Sequence, residues 1–450
     1  VSTSLRQLDK PTTPGLAPSI YAYDAHGVMT KYGLDLDSDG SLSGTTDRIN
    51  RFTYGYRQDG NVWERYGGHT STWWDYSETF AYPDGESVGQ TLTKTWSRVT
   101  NFNRVSRPPG VAGDAIAEAV AADVHGNRSI TQTYLDRATG AMTTVVYAPF
   151  AAQPSVTIAV AGQVVRQTSS AGVTTTFKYD SLGRPVKTID RTSTGFSANN
   201  VVYYPGTIRV QSVTDNRGIR QHYYTYDEAG RVLSDQTPRI NPATGAVNGY
   251  NTSFFAYDIR GQLTHIWGDV PYPVNYGYNT YGDRTEQRTY RTTGTNWSQA
   301  NLAASGWPGS GDLTSFAYFE ETGLLKSKTD AAGKAVSYTY NTLGQLKTRT
   351  WARKANPGDA SGITTSYTYF SGTGALQKAD YSDSTTDIEY TYDRLGRTKT
   401  IRDAAGDRTF TYRTVDLKPE AELFGRNGVG AITSHLLGTA RQLTYQYDPT

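Results

Sequence analysis

Tyr179-Asp180-Ser181-Leu182-Gly183-Arg184 decides how this chain folds, because the same turn keeps returning. Close copies begin at Tyr226 (Asp227 to Gly230), Tyr257 (Asp258 to Gly261) and Tyr392 (Asp393 to Gly396). Tyr340 (Asn341 to Gly344) and Tyr278 open the same unit with Asn in place of Asp. Tyr23 to Gly27 is an early copy, and a looser one runs from Tyr134 to Gly140. Asp or Asn starts a tight turn because its side chain can bond the backbone two residues on. Gly three residues later takes the positive φ that closes a type I turn with a bulge. A second signal alternates with the first: Asp123-Val-His-Gly126, Asp215-Asn-Arg-Gly218, Asp330-Ala-Ala-Gly333 and Asp403-Ala-Ala-Gly406. The clearest whole unit runs from Asp330 through Tyr340 to about Trp351.

Between turns lie strand segments. In 334–340, Val336, Tyr338 and Tyr340 share one face, and Ala335, Ser337 and Thr339 take the other. Tyr suits such a surface: its ring packs on cross-strand neighbours while its hydroxyl is expected to reach water. One Asp-x-x-Gly turn says little, whereas repeated copies in register behind a Tyr predict consecutive antiparallel hairpins. A hairpin is marginal alone and gains stability by stacking on its neighbours.

Composition agrees. Of 450 residues only 36% are hydrophobic, which is lean for one compact core, yet 12% are aromatic and 34 are Tyr, so the chain is not disordered. Thin sheets with much wet surface fit both facts. The 44 basic and 42 acidic residues are scattered, for a net charge of +2, so no nucleic-acid partner is expected. The absence of Cys excludes disulfides and thiolate metal sites. No apolar run approaches the roughly 20 residues of a membrane span, and no signal peptide is visible. The chain opens at Val1 without Met and stops at Tyr447-Asp448-Pro449-Thr450, inside a repeat. It is expected to be a piece of something longer.

Tyr-Asp-x-x-Gly-Arg followed by Leu or Val resembles the unit of the Rhs/YD-repeat family, which includes bacterial Rhs proteins, toxin-complex cocoon proteins and teneurins. The resemblance covers Tyr23–Gly27 and then Asp123 to Asp448, with insertions. It implies an all-β chain of YD-repeat hairpins stacked into one long antiparallel sheet, spiralled as an open or partial hollow shell. Residues 1–122 would form an N-terminal β segment with an aromatic-rich insertion, and 123–450 the YD-repeat sheet. The resemblance further implies the shell portion of a bacterial protein, secreted or at the cell surface, that encloses a polypeptide cargo, often a toxin domain, or displays an adhesion surface. The family's C-terminal core, with its autoproteolytic site, is not found in these residues.

Three stretches break the pattern. Residues 42–122 hold Trp63, Trp73, Trp74 and Trp96, with Ala112 to Ala122 expected as a short helix or loop. Residues 238–249 read as an extended hairpin tip. Residues 291–311, with Trp297 and Trp307, read as a longer loop. Exposed Tyr and Trp can stack on sugar rings, so a cell-surface glycan is the alternative partner, bound or cleaved in a lyase-like reaction with Tyr, His or Arg as base and acid.

The sharpest chemical motif is Asp35-Leu-Asp37-Ser-Asp39-Gly40-Ser41, in which alternate carboxylates converge as in the first half of a calcium loop. The Ser41 carbonyl would be a further ligand. Thr46 stands where a Glu is usual, and Asp47 would substitute. An acidic, solvated turn is the plainer alternative. The His residues (His26, His69, His125, His222, His265, His435) form no His-x-x-x-His pair, and no Gly-x-Ser-x-Gly occurs. Catalysis is not indicated, and no catalytic residue is assigned.

Overall fold

The computed structural model describes residues 13–58, 73–83, 86–102, 110–270, 272–291, 296–300, 302–303, 307–308, 310–424 and 441–446. More than half of these lie in β-strands, and none is helical. Among the described residues thirty-one strands belong to one antiparallel sheet, which does not close on itself. Neighbours in sequence are neighbours in the sheet: Thr174–Tyr179 pairs with Pro185–Arg191, Arg220–Tyr226 with Val232–Ile240, and Ile388–Tyr392 with Thr398–Asp403. Alternation places the faces as the period of two requires. In Ala335–Tyr340, Val336, Tyr338 and Tyr340 are half-buried while Ala335, Ser337 and Thr339 are exposed.

The chain divides into two compact units, residues 1–156 with 340–349 and 353–450, and residues 157–339 with 350–352. The second unit is thin. Most of its strands are short, such as Arg220–Tyr226, and most of their side chains are half-buried. The hairpin tip read at 238–249 is present: Val232–Ile240 and Val247–Tyr257 pair out to Ile240 opposite Val247.

The first unit carries a real core on long strands, of which Gln90–Phe102 has 13 residues. The described residues of 42–122 extend the sheet, through Arg48–Gln58, Trp73–Ala81, Gln90–Phe102 and Asp114–Asp123. The stretch Ala112–Ala122 is therefore a strand over most of its length, not a helix or loop. Ala117, Ala119 and Ala121 share the outer face, and Ala115, Val120 and Ala122 join Trp74, Tyr76, Trp96, Ile130, Tyr134, Val145 and Tyr147 in one apolar cluster. Small side chains let neighbouring aromatic rings fill that layer.

A buried polar network crosses the core. Arg98 pairs with Glu118 at 2.5 Å, Gln132 Nε2 donates to Glu118 Oε1 at 3.0 Å, and the Tyr134 hydroxyl donates to Gln132 Oε1 at 2.7 Å. The Arg98 guanidinium also covers the Trp74 ring at 4.5 Å. Such a network is stable only when every member is satisfied.

Candidate functional site

The repeated turn behaves as its residues dictate. Asp180 Oδ1 accepts from the amides of Leu182 and Arg184, both at 2.9 Å, and the Gly183 amide donates to the Asp180 carbonyl at 3.0 Å. Gly183 has φ 77°, left-handed backbone that side chains with a Cβ resist. Asp258 holds Arg260 and Gln262 in the same way, and Asn341 holds Leu343 and Gln345. Asp227 and Asp393 accept from the amides of Arg231 and Arg397. Gly230, Gly261, Gly344 and Gly396 all sit at positive φ. The register shifts at Tyr179, Tyr226, Tyr257 and Tyr392, each just before its turn, which is the expected bulge. The looser copy carries one more residue, with the Gly140 amide on the Asp136 carbonyl at 2.8 Å.

Two residues of the motif reach beyond their own turn. The Tyr hydroxyl donates backward to a main-chain carbonyl of an earlier strand, rather than to water as expected. Tyr179 reaches Val164 at 2.7 Å, Tyr226 reaches Val210 at 2.8 Å, Tyr278 reaches Leu263 at 2.7 Å and Tyr392 reaches Leu376 at 2.9 Å. The Arg or Gln after the Gly donates forward. Arg231 Nη1 reaches the Asp258 carbonyl at 3.0 Å, Gln262 the Gly282 carbonyl at 3.1 Å, Gln345 the Gly374 carbonyl at 2.9 Å and Arg397 the Leu417 carbonyl at 2.8 Å. Arg184 makes the same bond to Thr207. The Arg also covers the next Tyr ring: Arg184 over Tyr203 at 4.5 Å and Arg397 over Tyr412 at 3.9 Å. The turns thus form a hydrogen-bonded rail. Its forward half was visible in sequence only as a recurring Arg or Gln with no assigned role.

This geometry sets the charges. The Arg184 side chain and amide hold the Asp180 carboxyl below its usual range, and for Asp227 the Arg231 amide does most of the same work. Burial pushes Tyr226, Tyr257 and Tyr392 up. A tyrosine base needs the opposite shift. His222 stacks on Tyr224 and contacts Asp235 at 3.1 Å, and His265 sits against Trp307 with its pKa lowered by burial. His69, His435 and Trp63 lie outside the described residues.

Trp297 and Trp307 are turned inward. Trp307 meets Trp297, Tyr290 and Trp267 edge-to-face at 5.2, 5.4 and 5.8 Å, so this loop folds into a satellite apolar cluster.

In the acidic loop, the carboxylates of Asp35, Asp37 and Asp39 do converge, with one oxygen of each within 4.8 Å of the others. A cation about 2.3–2.6 Å from each would span such a gap. Asp35 is buried, with its oxygens on the amides of Asp39 and Gly40 at 3.1 and 2.9 Å. Ser41 donates its amide and hydroxyl to Asp39 Oδ1. A bond from the Thr46 hydroxyl is the main reason Asp37 lies below its usual range. Asp47 stands apart from the cluster. It is buried, and its two oxygens accept from Leu36 and Ser43 at 2.7 and 2.8 Å, which ties the two ends of the loop together.

The first unit also contains a contact that no local pattern announces. Arg394, the second residue of the Asp393 turn, is buried and donates to the carbonyls of Tyr82 (3.2 Å), Gly44 (2.5 Å), Glu86 (2.7 Å) and Pro83. Arg48 Nε answers with a bond to the Arg394 carbonyl at 2.8 Å. A cavity of about 340 Å³ lies alongside, lined by Thr46, Arg48, Phe370 and Tyr392 among others. Two further ties join early and late turns: the Ala17 amide donates to Gly372 at 2.7 Å, and His125 Nε2 meets Asp416 Oδ2 at 2.8 Å.

Among the described residues no helix is long and apolar enough to cross a membrane. No curated protein sequence matches the chain. It is similar to the crystal structure of TcdB2-TccC3-Cdc42, at 12% identity over 98% of this chain and 32% of that one, with a TM-score of 0.30. It is also similar to TcdB2-TccC3-TEV, at 14% identity over 96% of this chain and 25% of that one, with a TM-score of 0.28. A Tc holotoxin pore of Photorhabdus luminescens matches at 13% identity over 90% of this chain and 26% of that one, with a TM-score of 0.25. The chain spans a third or less of each of these structures. The RHS Repeat family model matches residues 160–194 and 319–353, which contain the Asp180 and Asn341 turns. Those two stretches are RHS repeats, and the turn they contain recurs along the sheet at Asp227, Asp258 and Asp393.

Proposed function

We propose that this chain is repeat wall: part of a larger bacterial RHS-type protein, secreted or held at the cell surface, that encloses a polypeptide cargo such as a toxin domain. The observation that carries the reading is the rail, in which Tyr226 bonds backward and Arg231 forward across successive turns. In the repeats the motif's Tyr and Arg side chains are spent on joining hairpins. Such a wall is continuous, and it separates what lies on either side. The test uses the natural full-length product containing these residues. It is digested with a broad protease, first native and then in denaturant. A segment outside the repeats should survive until the wall is opened. If every such segment is cut at once in the native protein, the enclosing role is wrong.

The same proposal includes a calcium ion on Asp35, Asp37 and Asp39, supported by their convergence. The ion would draw three carboxylates together that otherwise repel. Calcium at a hundredfold over its Kd should stabilise the fold by about 2.7 kcal/mol. The expected result is a higher melting temperature in calcium than in chelator, lost in Asp37→Asn. An unchanged melting temperature removes the ion from the account.

A further inference from the structure

The strands Ser19–Tyr23, Met29–Leu34 and Arg48–Gln58 put their apolar core residues on one face, where Ile49 is 1% exposed. The opposite face should then be polar. It carries a row of rings instead. Tyr21, Tyr32, Phe52 and Tyr54 follow one another with centroids 6.4, 5.9 and 6.3 Å apart and planes within 22°, 19° and 23°. Tyr56 and Trp73 are on the same face, 75% and 62% exposed.

These rings are not needed by the core, which lies behind them at Trp74 and Tyr76. Leaving them in water forgoes about 25 cal/mol for each Å² of apolar area. Beside the row lies a terrace of hydroxyls set by the register. Tyr54 faces Ser77, which faces Thr95, and Phe52 faces Thr79, which faces Thr93. The Ser77 and Thr95 hydroxyls are 2.5 Å apart. Along these two lines, over the strands Arg48–Gln58, Trp73–Ala81 and Gln90–Phe102, no side chain is charged, and the charged groups beside them, Asp75 opposite Tyr56 and Asp123 opposite Thr93, are carboxylates rather than cations.

We infer that this face binds a neutral polysaccharide chain. Aromatic rings with polar tips receive the C–H faces of sugar rings, and adjacent Ser and Thr hydroxyls both donate to and accept from sugar hydroxyls. The competing partners need something the face lacks. Nucleic acid requires clustered cations along its phosphates, and an anionic membrane surface requires basic residues beside the apolar ones. The inference does not depend on the enclosing role, and the two can fail separately.

The test is affinity electrophoresis of the full chain through gels containing laminarin, hydroxyethyl cellulose, dextran or galactomannan, with polygalacturonate as the anionic contrast. At least one neutral glycan should retard the protein. Tyr54→Ala combined with Trp73→Ala should weaken that binding about tenfold or more, since each ring contributes a fraction of that factor. Both residues are exposed, so the melting temperature should hold. Tyr54→Phe should retain most of the binding. Thr95→Val, which removes a hydroxyl at constant shape, should weaken it without touching a ring. The inference is overturned if no neutral glycan retards the protein, if only polygalacturonate does, or if the double alanine variant migrates like the wild type.

Discussion

At the scale of single residues, the motif is an exchange of bonds between neighbouring repeats. The Tyr226 hydroxyl donates to the Val210 carbonyl at 2.8 Å, so Tyr226→Phe keeps the ring and deletes only the bond. The expected loss is about 1 kcal/mol, read by urea denaturation. Tyr281→Phe is the contrast, since Tyr281 is exposed and should change nothing. Equal effects at the two sites would mean the hydroxyl bond contributes little. The turn carboxylates make a second prediction. Asp180 and Asp227 titrate below their usual range in the fold, whereas an unfolded Asp titrates near 3.9. A depressed folded pKa contributes stability that is complete above the unfolded value and is lost as pH falls through the folded one. Melting temperature should therefore be level from neutral pH down to about 4 and fall steeply below it. Asp180→Asn with Asp227→Asn should flatten that fall, because Asn keeps the turn, as Asn341 does here, but has no charge to lose. A slope unchanged in the double variant would place the acid sensitivity elsewhere.

At the scale of elements, the decisive contact in the first unit is the Asp393 turn against the early loops. Arg394 supplies donors to four carbonyls, those of Gly44, Tyr82, Pro83 and Glu86. Arg394→Met fills similar space and leaves those carbonyls without donors. The expected cost is about 3 kcal/mol, accompanied by faster hydrogen exchange in residues 36–48. Arg394→Lys should not rescue it, because a single ammonium cannot reproduce a planar fork of five donors. A lysine variant as stable as the wild type would show that charge alone, not the fork, matters there.

At the scale of the molecule, stability should be uneven. A repeat sheet whose units bond only to their neighbours responds to damage locally. The first unit adds the buried network of Arg98, Glu118, Gln132 and Tyr134, whereas most side chains in the second unit's strands are half-buried. Glu118→Ala strands Arg98 and Gln132 inside the core, at an expected cost of about 3–5 kcal/mol. Hydrogen exchange by mass spectrometry should show lost protection across 73–147 and little change across 174–226. Loss of protection spread evenly over both ranges would mean the chain unfolds as one cooperative body.

The turn chemistry was readable from sequence because it is local. An Asp and a Gly three residues apart determine their own turn, and repeating that turn behind a Tyr determines consecutive antiparallel hairpins, whatever surrounds them. Period-two alternation likewise told which residues share a face. What stands opposite a face depends on segments far away in sequence, and there the tertiary structure decided. Arg394 reaches Gly44 across more than three hundred positions, so no spacing rule could single it out from the other turn residues. Ala112–Ala122 reads as a short helix or loop by itself and becomes a strand because flanking strands offer it a ladder. Asp47 shows the limit most plainly. Its place after the acidic loop names none of its hydrogen-bond partners, the amides of Leu36 and Ser43, which chain folding delivered.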